Sequence, residues 1–301
     1  MSIVLERAAW SSHRLDEVER GILWPVVYAS IFRAPVRASR LWGQMVGVRA
    51  SEAEMRRALA GPSLRELLVE DEGLIWLRQP DPSKLKAAFA LREKGTRDLL
   101  DRHHDILAFL RGLPGLRLAA LSGGCAHDAA DDEDIDVFAV TEAHALWRTL
   151  LTSTLIAKAR GWRRILCLNY LVDTTAQALP WRDFYGAFEL ISLRPIKGED
   201  AFADLLSANP WIEPIFPNFG RSRLHGQNPG NRNSEPSGGR LLEAAARMIH
   251  RPYLRYRLPD RTGVELSDHV VRLHATDHRS RIRALFQDAL HNLGMEAPSW
   301  I

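Results

Sequence analysis

The chain has 301 residues, 46% of them apolar, which supplies a real hydrophobic core and leaves room for two domains. Forty Lys and Arg against 37 Asp and Glu leave a formal charge of +3 and a pI near 9.0, a mild basic excess that permits an anionic partner without demanding one. The only two cysteines, Cys125 and Cys167, lie far apart and in no metal-ligand spacing, which excludes a disulfide framework and a cysteine-built zinc site and fits a reducing compartment.

The amino terminus, MSIVLERAAW, is charged within its first six residues and lacks the basic, apolar and small-residue order of a signal peptide. The longest nearly apolar stretch, Gly21 to Phe32, is far shorter than the ~20 residues that span a bilayer. A cytoplasmic protein with no membrane partner is the expectation.

In chain order, residues 16–60 read as three short helices: an apolar one around Val26 to Phe32, a second in RASRLWGQMVG, and a third opening at SEAEMRRAL, where Ser51 and Glu54 have capping-box spacing. LRELLVEDEGLIWLRQPDP has the outline of strand, acidic turn at Gly73 and strand. Three helices followed by a hairpin is the order of a winged helix, so nucleic acid is a possible partner for the amino-terminal region. A packing or protein-interaction module stands equally open, because no helix carries a concentrated Arg and Lys face. Residues 83–112 keep apolar side chains at helical spacing and read as one long connecting helix, with His103 and His104 among its solvated charges.

LRLAALSGG then reads as a buried strand entering a glycine turn, EDIDVFAVT as a second strand, AHALWRTLLTSTLIAKARG as a helix stopped at Gly161, and RRILCLNYLVD as a third strand. This is the skeleton of a small mixed α/β (α+β) domain. WRDFYGAFELISLRP and EDAFADLLSANPWIEPIF look like two helices packing on it. Asn218 to Gly239, rich in Gly, Asn, Ser, Pro and Arg, has little to bury and reads as a loop or linker. GRLLEAAARMIH and LSDHVVRLHATDHRSRIRALFQDAL read as two further helices. The expected division is 1–112, 113–216, a linker over 217–239, and a helical segment over 240–301.

Six acids crowd between Asp128 and Asp136, and an isolated charge run of that kind is usually a solvated loop. Asp134 and Asp136, however, flank Ile135 and run straight into VFAV. Strand alternation points both carboxylates to one face, ~6.5–7 Å apart along the backbone, where they would be costly without a cation or donors. Paired hard oxygens suit Mg²⁺ (or Mn²⁺), which keeps water and substrate phosphates in the rest of its shell. Upstream, Gly123 and Gly124 leave the backbone bare for a phosphate. Together these features describe phosphoryl or nucleotidyl transfer.

At these residues the chain resembles the nucleotidyltransferase superfamily typified by DNA polymerase β, in which a glycine pair is followed after about nine to thirteen residues by acid, apolar, acid. Here Gly123 and Gly124, nine intervening residues and Asp134-Ile135-Asp136 fit that signature. The order of winged-helix-like start, long helix, SGG and DID, LCLN, FE-containing helix, ANPW with FPN, and late LSD and RLH is similar to a group of bacterial nucleotidyltransferase-domain proteins and covers most of the chain.

The resemblance implies that Asp134 and Asp136 hold the metal and that Ser122, Gly123 and Gly124 grip the terminal phosphates of a nucleoside triphosphate, most often ATP. Transfer of NMP to an acceptor, a small molecule, an RNA end or a protein side chain, would release pyrophosphate. It also marks Arg272, His274 and Asp277 as contacts for nucleotide or acceptor. Polymerase-like members carry a third acid on a neighbouring strand. Here alternation puts Cys167, Asn169, Leu171 and Asp173 on one face, so Asn169 takes the central place, and Asp173 lies ~13 Å further along. Asn169 can orient a group but cannot act as a base.

Arg148, at the start of a helix, could meet a phosphate, as could Arg163 and Arg164, which fit surface charges better. Glu189 fits an exposed helix carboxylate better than a site acid. His274 and His278, four apart on a helical face, fit solvated residues better than ligands, and Trp211 fits the core. The rival to an enzyme is a binding protein whose amino-terminal part contacts DNA or a partner and whose α/β part senses nucleotide without turnover.

Overall fold

The computed structural model describes residues 15–79, 82–220, 239–258, 263–273 and 279–296. Asp16 opens the first helix, α1 (Glu17–Ile31), with a capping box: its side chain accepts from Glu19 N–H, and the Glu19 carboxylate accepts from Asp16 N–H. The helix thus begins well before Val26. Gly21 to Ser30 are all buried, and a helix that is apolar all round is a central one. Pro25 sits inside it and cannot donate to the Gly21 carbonyl, which instead accepts from Val46 N–H at 3.0 Å.

β1 (Val36–Arg37), α2 (Ala38–Gln44), α3 (Glu52–Leu59), α4 (Pro62–Leu67), β2 (Leu68–Asp71) and β3 (Leu74–Leu77) follow, and the strands form an antiparallel sheet in the order β1-β3-β2. Both turn residues of the hairpin, Glu72 and Gly73, have positive φ, the geometry of the tight turns that suit strand twist. The Ser51 capping box is formed as the sequence suggests. Ser51→Ala should cost about 1 kcal/mol of stability, read as a lower midpoint in urea at unchanged slope.

The long connecting helix is two. α5 (Pro82–Arg102) and α6 (His104–Gly112) meet at His103, whose ψ of 32° leaves helical geometry. The break turns Ile106 and Leu110 into the core while α5 keeps only Phe89, Thr96 and Leu99 buried.

The six-stranded mixed sheet comprises β4 (Leu116–Leu121), β5 (Ile135–Thr141), β6 (Leu166–Asp173), β7 (Arg194–Lys197), β8 (Val264–Leu266) and β9 (Val270–Leu273), in the order β7-β4-β5-β6-β9-β8. Only β5 and β6 run parallel, joined across α8 (Leu146–Ala159). α7 (Gly123–Ala126) is a single turn between β4 and β5, and α9 (Phe184–Ser192), α10 (Glu199–Ser207), α11 (Gly239–Arg257) and α12 (Arg279–Asn292) follow in the chain.

One sheet face, with Leu118, Ala120, Phe138, Val140, Tyr170 and Val172, shares a continuous core with α1, α9, α10 and Phe286 of α12. The other, with Ala119, Val137, Ala139, Leu171 and Val271, packs on α6, α8 and α11. The class is mixed α/β, and the core runs without a break from the amino-terminal helices to the large sheet.

Three readings are corrected. Arg194 and Pro195, read as the end of a helix, instead open strand β7, and α9 stops at Ser192. LSDHVVRL is not helical: the β-branched Val270 and Val271 pair with Val172 and Leu171, and Ser267 closes the hairpin through hydrogen bonds to Val270. Only the later part of that segment is helical, as α12. At the head of the expected linker, Asn218 is fully buried and ties the α2–α3 connection through Ala50 N–H and the Val48 carbonyl. Residues 221–238 lie outside the described residues.

Candidate functional site

β4 delivers the chain to Ser122, whose N–H bonds to the Asp136 carbonyl at 2.9 Å and fixes the turn against the first residues of β5. Gly123 has φ +55°, and a Cβ there would stand 2.7 Å from the Asp136 carboxylate. A Cβ on Gly124 would meet Ala130 Cα at 2.8 Å. The glycine pair is therefore required by close approach, of the acid in one case and of the returning loop in the other.

The six acids divide by role. Asp128 is a clamp, ion-paired with Arg37 at 2.9 Å and with Arg194, which holds its carboxyl below the usual range against the opposing effect of burial. Asp131, Asp132 and Glu133 are exposed. Asp134 and Asp136 converge: one oxygen from each and the Cys167 sulfur lie within 4.8 Å of one another. Burial, then Asp132, then the Asp136 charge push Asp134 up to about 7; burial and Asp132 push Asp136 up to about 6, against a hydrogen bond from Asn169. Asp134 Oδ1 is buried with no hydrogen-bond partner among the described residues.

Asn169 reaches the site through an irregularity. The β5–β6 register pairs Val137 with Leu168 but Phe138 with Tyr170, so Asn169 is an extra, bulged residue. Its amide donates to the Asp136 carboxylate and its carbonyl oxygen accepts from the Cys167 thiol at 2.8 Å. Burial first, and then the nearby acids, push that thiol up to about 12, so it stays a donor. The bulge also reverses the strand's phase: Tyr170 and Val172 join the site-side core and Leu171 the opposite one. Asp173 therefore does not share a face with Asn169, as simple alternation had implied.

A cavity of about 520 Å³ opens in front of Ser122, Gly123, Gly124, Asp136 and Asn169. Arg272 lies on its wall with the guanidinium 4.8 Å above the Trp181 ring, and Arg279 stacks on the same ring at 4.4 Å. Arg272 Nε is buried without a hydrogen-bond partner among the described residues. Arg272 is carried there by β9, opposite Tyr170, not by a helix. Glu189 also lines the cavity, pushed up to about 7 by burial and by Asp136 against Arg279; it is not the exposed helix carboxylate that its sequence context favoured. The amino-terminal region adds part of the wall, through Phe32, Arg37, Phe89 and Arg92, and α9 adds Tyr185 and Phe188.

Arg148 is not brought to the site. It pairs with Glu142 at 3.6 Å beyond the far end of β5, and a Cβ on Gly239 would collide with its guanidinium, so it is packed between structural neighbours. Arg163 bonds Tyr253 on the surface, and Arg164 is exposed. His274, Asp277 and His278 lie outside the described residues. Asn209 of the ANPW segment is fully buried and ties three backbone positions, Gln177, Leu179 and Leu205, a structural role. Trp181, Arg279 and the amino-terminal wall had no signal in the sequence, since each is brought in by tertiary packing. No family model, curated protein or solved structure matches the chain.

Proposed function

We propose that the protein is a nucleotidyltransferase dependent on Mg²⁺ or Mn²⁺, which moves a nucleoside monophosphate, AMP from ATP in the simplest case, to an acceptor and releases pyrophosphate. The observation that carries this reading is the convergence of the Asp134 and Asp136 carboxylates within 4.8 Å beside a glycine turn at the cavity wall. The donor set fits a hard dication: two carboxylates, one oxygen of Asp134 unpartnered among the described residues, and a turn that a single Cβ would close.

When bound, such an ion neutralises charge on the polyphosphate and lowers the pKa of an attacking hydroxyl. The chain's own residues do the rest. Asp134 and Asp136 hold the ion, and Asn169 keeps Asp136 in one orientation. The bare turn at Ser122, Gly123 and Gly124 admits the phosphates, while Arg272 and Arg279 supply positive charge from the wall of the same cavity. An acceptor oxygen or nitrogen gives up its proton to solvent and bonds to the α-phosphorus as the bond to the bridging oxygen breaks, and that oxygen leaves with pyrophosphate. The acceptor is a small molecule, an RNA end or a protein side chain. Asn169 in place of a third strand acid favours one rival, nucleotide binding without turnover, in a protein whose amino-terminal region contacts DNA.

Calorimetric titration with ATP, GTP, CTP and UTP, with and without Mg²⁺, tests the reading. Binding of at least one triphosphate only when the ion is present supports it; no binding, or binding indifferent to Mg²⁺ and to Asp134→Asn, overturns it. Pyrophosphate release separates enzyme from sensor. Arg272→Ala should weaken that binding about tenfold, ~1.4 kcal/mol, the scale of one charge-assisted contact.

A further inference from the structure

We propose that His144, Asp173 and His269 form a second metal site, separate from the acid pair, that takes a transition-series dication of the Zn²⁺ class. The three residues come from different segments: His144 from the connection after β5, Asp173 from the last position of β6, and His269 from the turn between β8 and β9. Sheet pairing assembles them. Thr141 stands opposite Asp173, and Asp173 N–H bonds to the His269 carbonyl at 3.0 Å. Asp136 is at the other end of β5, ~17 Å away by strand rise.

One ligand atom from each residue lies within 4.8 Å of the other two. Bonds of ~2.0–2.1 Å in a tetrahedral shell need ~3.3 Å between ligand atoms, so small side-chain rotations complete the geometry. Both imidazoles have room to make them: His144 is exposed and the His269 side chain is 45% exposed.

Asp173 is the fixed member. It is 0% exposed, yet among the described residues no Lys or Arg pairs with it. Its Oδ1 accepts from Thr175 N–H at 2.9 Å and from the Thr175 hydroxyl at 2.6 Å, while Oδ2 faces His269 Nδ1 at 2.8 Å and the His144 N–H at 3.5 Å. A buried carboxylate needs a cation or a full set of donors, and here one oxygen is locked by Thr175 while the other meets the His269 ring and the His144 backbone N–H, with a ring nitrogen of each histidine within 4.8 Å of the carboxylate. His144 adopts φ +57°, unusual for a residue with a side chain, and that backbone places its ring centroid 6.0 Å from that of His269. Thr175 is not a nucleophile in a triad, because its hydroxyl donates to Asp173 and meets the same His269 nitrogen that Asp173 occupies. Two imidazoles and one carboxylate match Zn²⁺ and leave a fourth position open, whereas Mg²⁺ prefers oxygen alone.

The test is titration of the full chain, stripped with chelator and held in excess Mg²⁺ to occupy the acid pair, with Zn²⁺ alone. One Zn²⁺ per chain should bind, with affinity unchanged in Asp134→Asn and reduced at least 100-fold in the double variant His144→Ala, His269→Ala. Because both histidines are at the surface, the double variant should keep its circular dichroism. Co²⁺ in place of Zn²⁺ should give the visible absorption of a four-coordinate ion, lost in the same variant. Absence of binding, or binding that survives loss of both histidines, overturns the proposal.

Discussion

Gly123→Ala is expected to lower Mg²⁺-dependent nucleotide affinity at least 100-fold, on the order of 3 kcal/mol. The new methyl would stand 2.7 Å from the Asp136 carboxylate, a separation that neither atom tolerates, and the +55° φ of the turn adds strain. A left-handed alanine costs roughly 1 kcal/mol, so thermal stability should fall as well. Relief of the contact means moving Asp136, which breaks its hydrogen bond from Asn169, or opening the turn that faces the phosphates. Either movement separates the two halves of the site. Calorimetry of the variant beside its denaturation curve distinguishes the effects; wild-type affinity in the alanine protein would mean that turn and acid are not functionally joined.

Asp136→Asn should reduce pyrophosphate release about 10³-fold or more and yet stabilise the metal-free protein at pH 8. The sign follows from the raised carboxyls. Asp134 is held up to about 7 and Asp136 to about 6, both above the ordinary carboxylate value, so the folded state binds these protons more tightly than the unfolded chain. Their contribution is fully present below about pH 4, the ordinary carboxylate value, and is lost as pH rises through 6 and 7. Asparagine keeps the partner for Asn169 and removes one repelling charge. Because water reaches the cavity, the gain is about 1 kcal/mol, or ~2–4 °C in midpoint. Saturating Mg²⁺ should reverse the ranking, since the ion stabilises only the form that binds it. A metal-free variant less stable than wild type at pH 8 would show that the two charges do not repel in the folded state.

Sequence patterns made the local features legible. Ser51 with Glu54 and the acidic turn at Gly73 are formed by contacts within a few residues, and the passage from the glycine pair into the apolar strand at Asp136 closes within a single β-turn-β unit. What escaped depends on distant partners. The bulge at Asn169 reverses strand phase because β5 pairs with one residue fewer, which residues 166–173 alone do not signal. β7 and β9 are four-residue strands whose conformation is set by their sheet partners, β4 for β7 and β6 and β8 for β9. Glu189 is inward because α9 packs under the cavity, and Arg148 is excluded because α11 covers it. The cavity wall from the amino-terminal region exists because the core is continuous across residue 112.

The most direct test is anomalous diffraction from crystals of the full chain grown with Mn²⁺ and a non-hydrolysable ATP analogue. The expected map has a manganese peak bonded to oxygens of both Asp134 and Asp136, with the triphosphate against Ser122 to Gly124 and Arg272 facing it. A map with no manganese between those carboxylates, or with the nucleotide bound away from the glycine turn, would contradict the assignment of this cavity to nucleotidyl transfer.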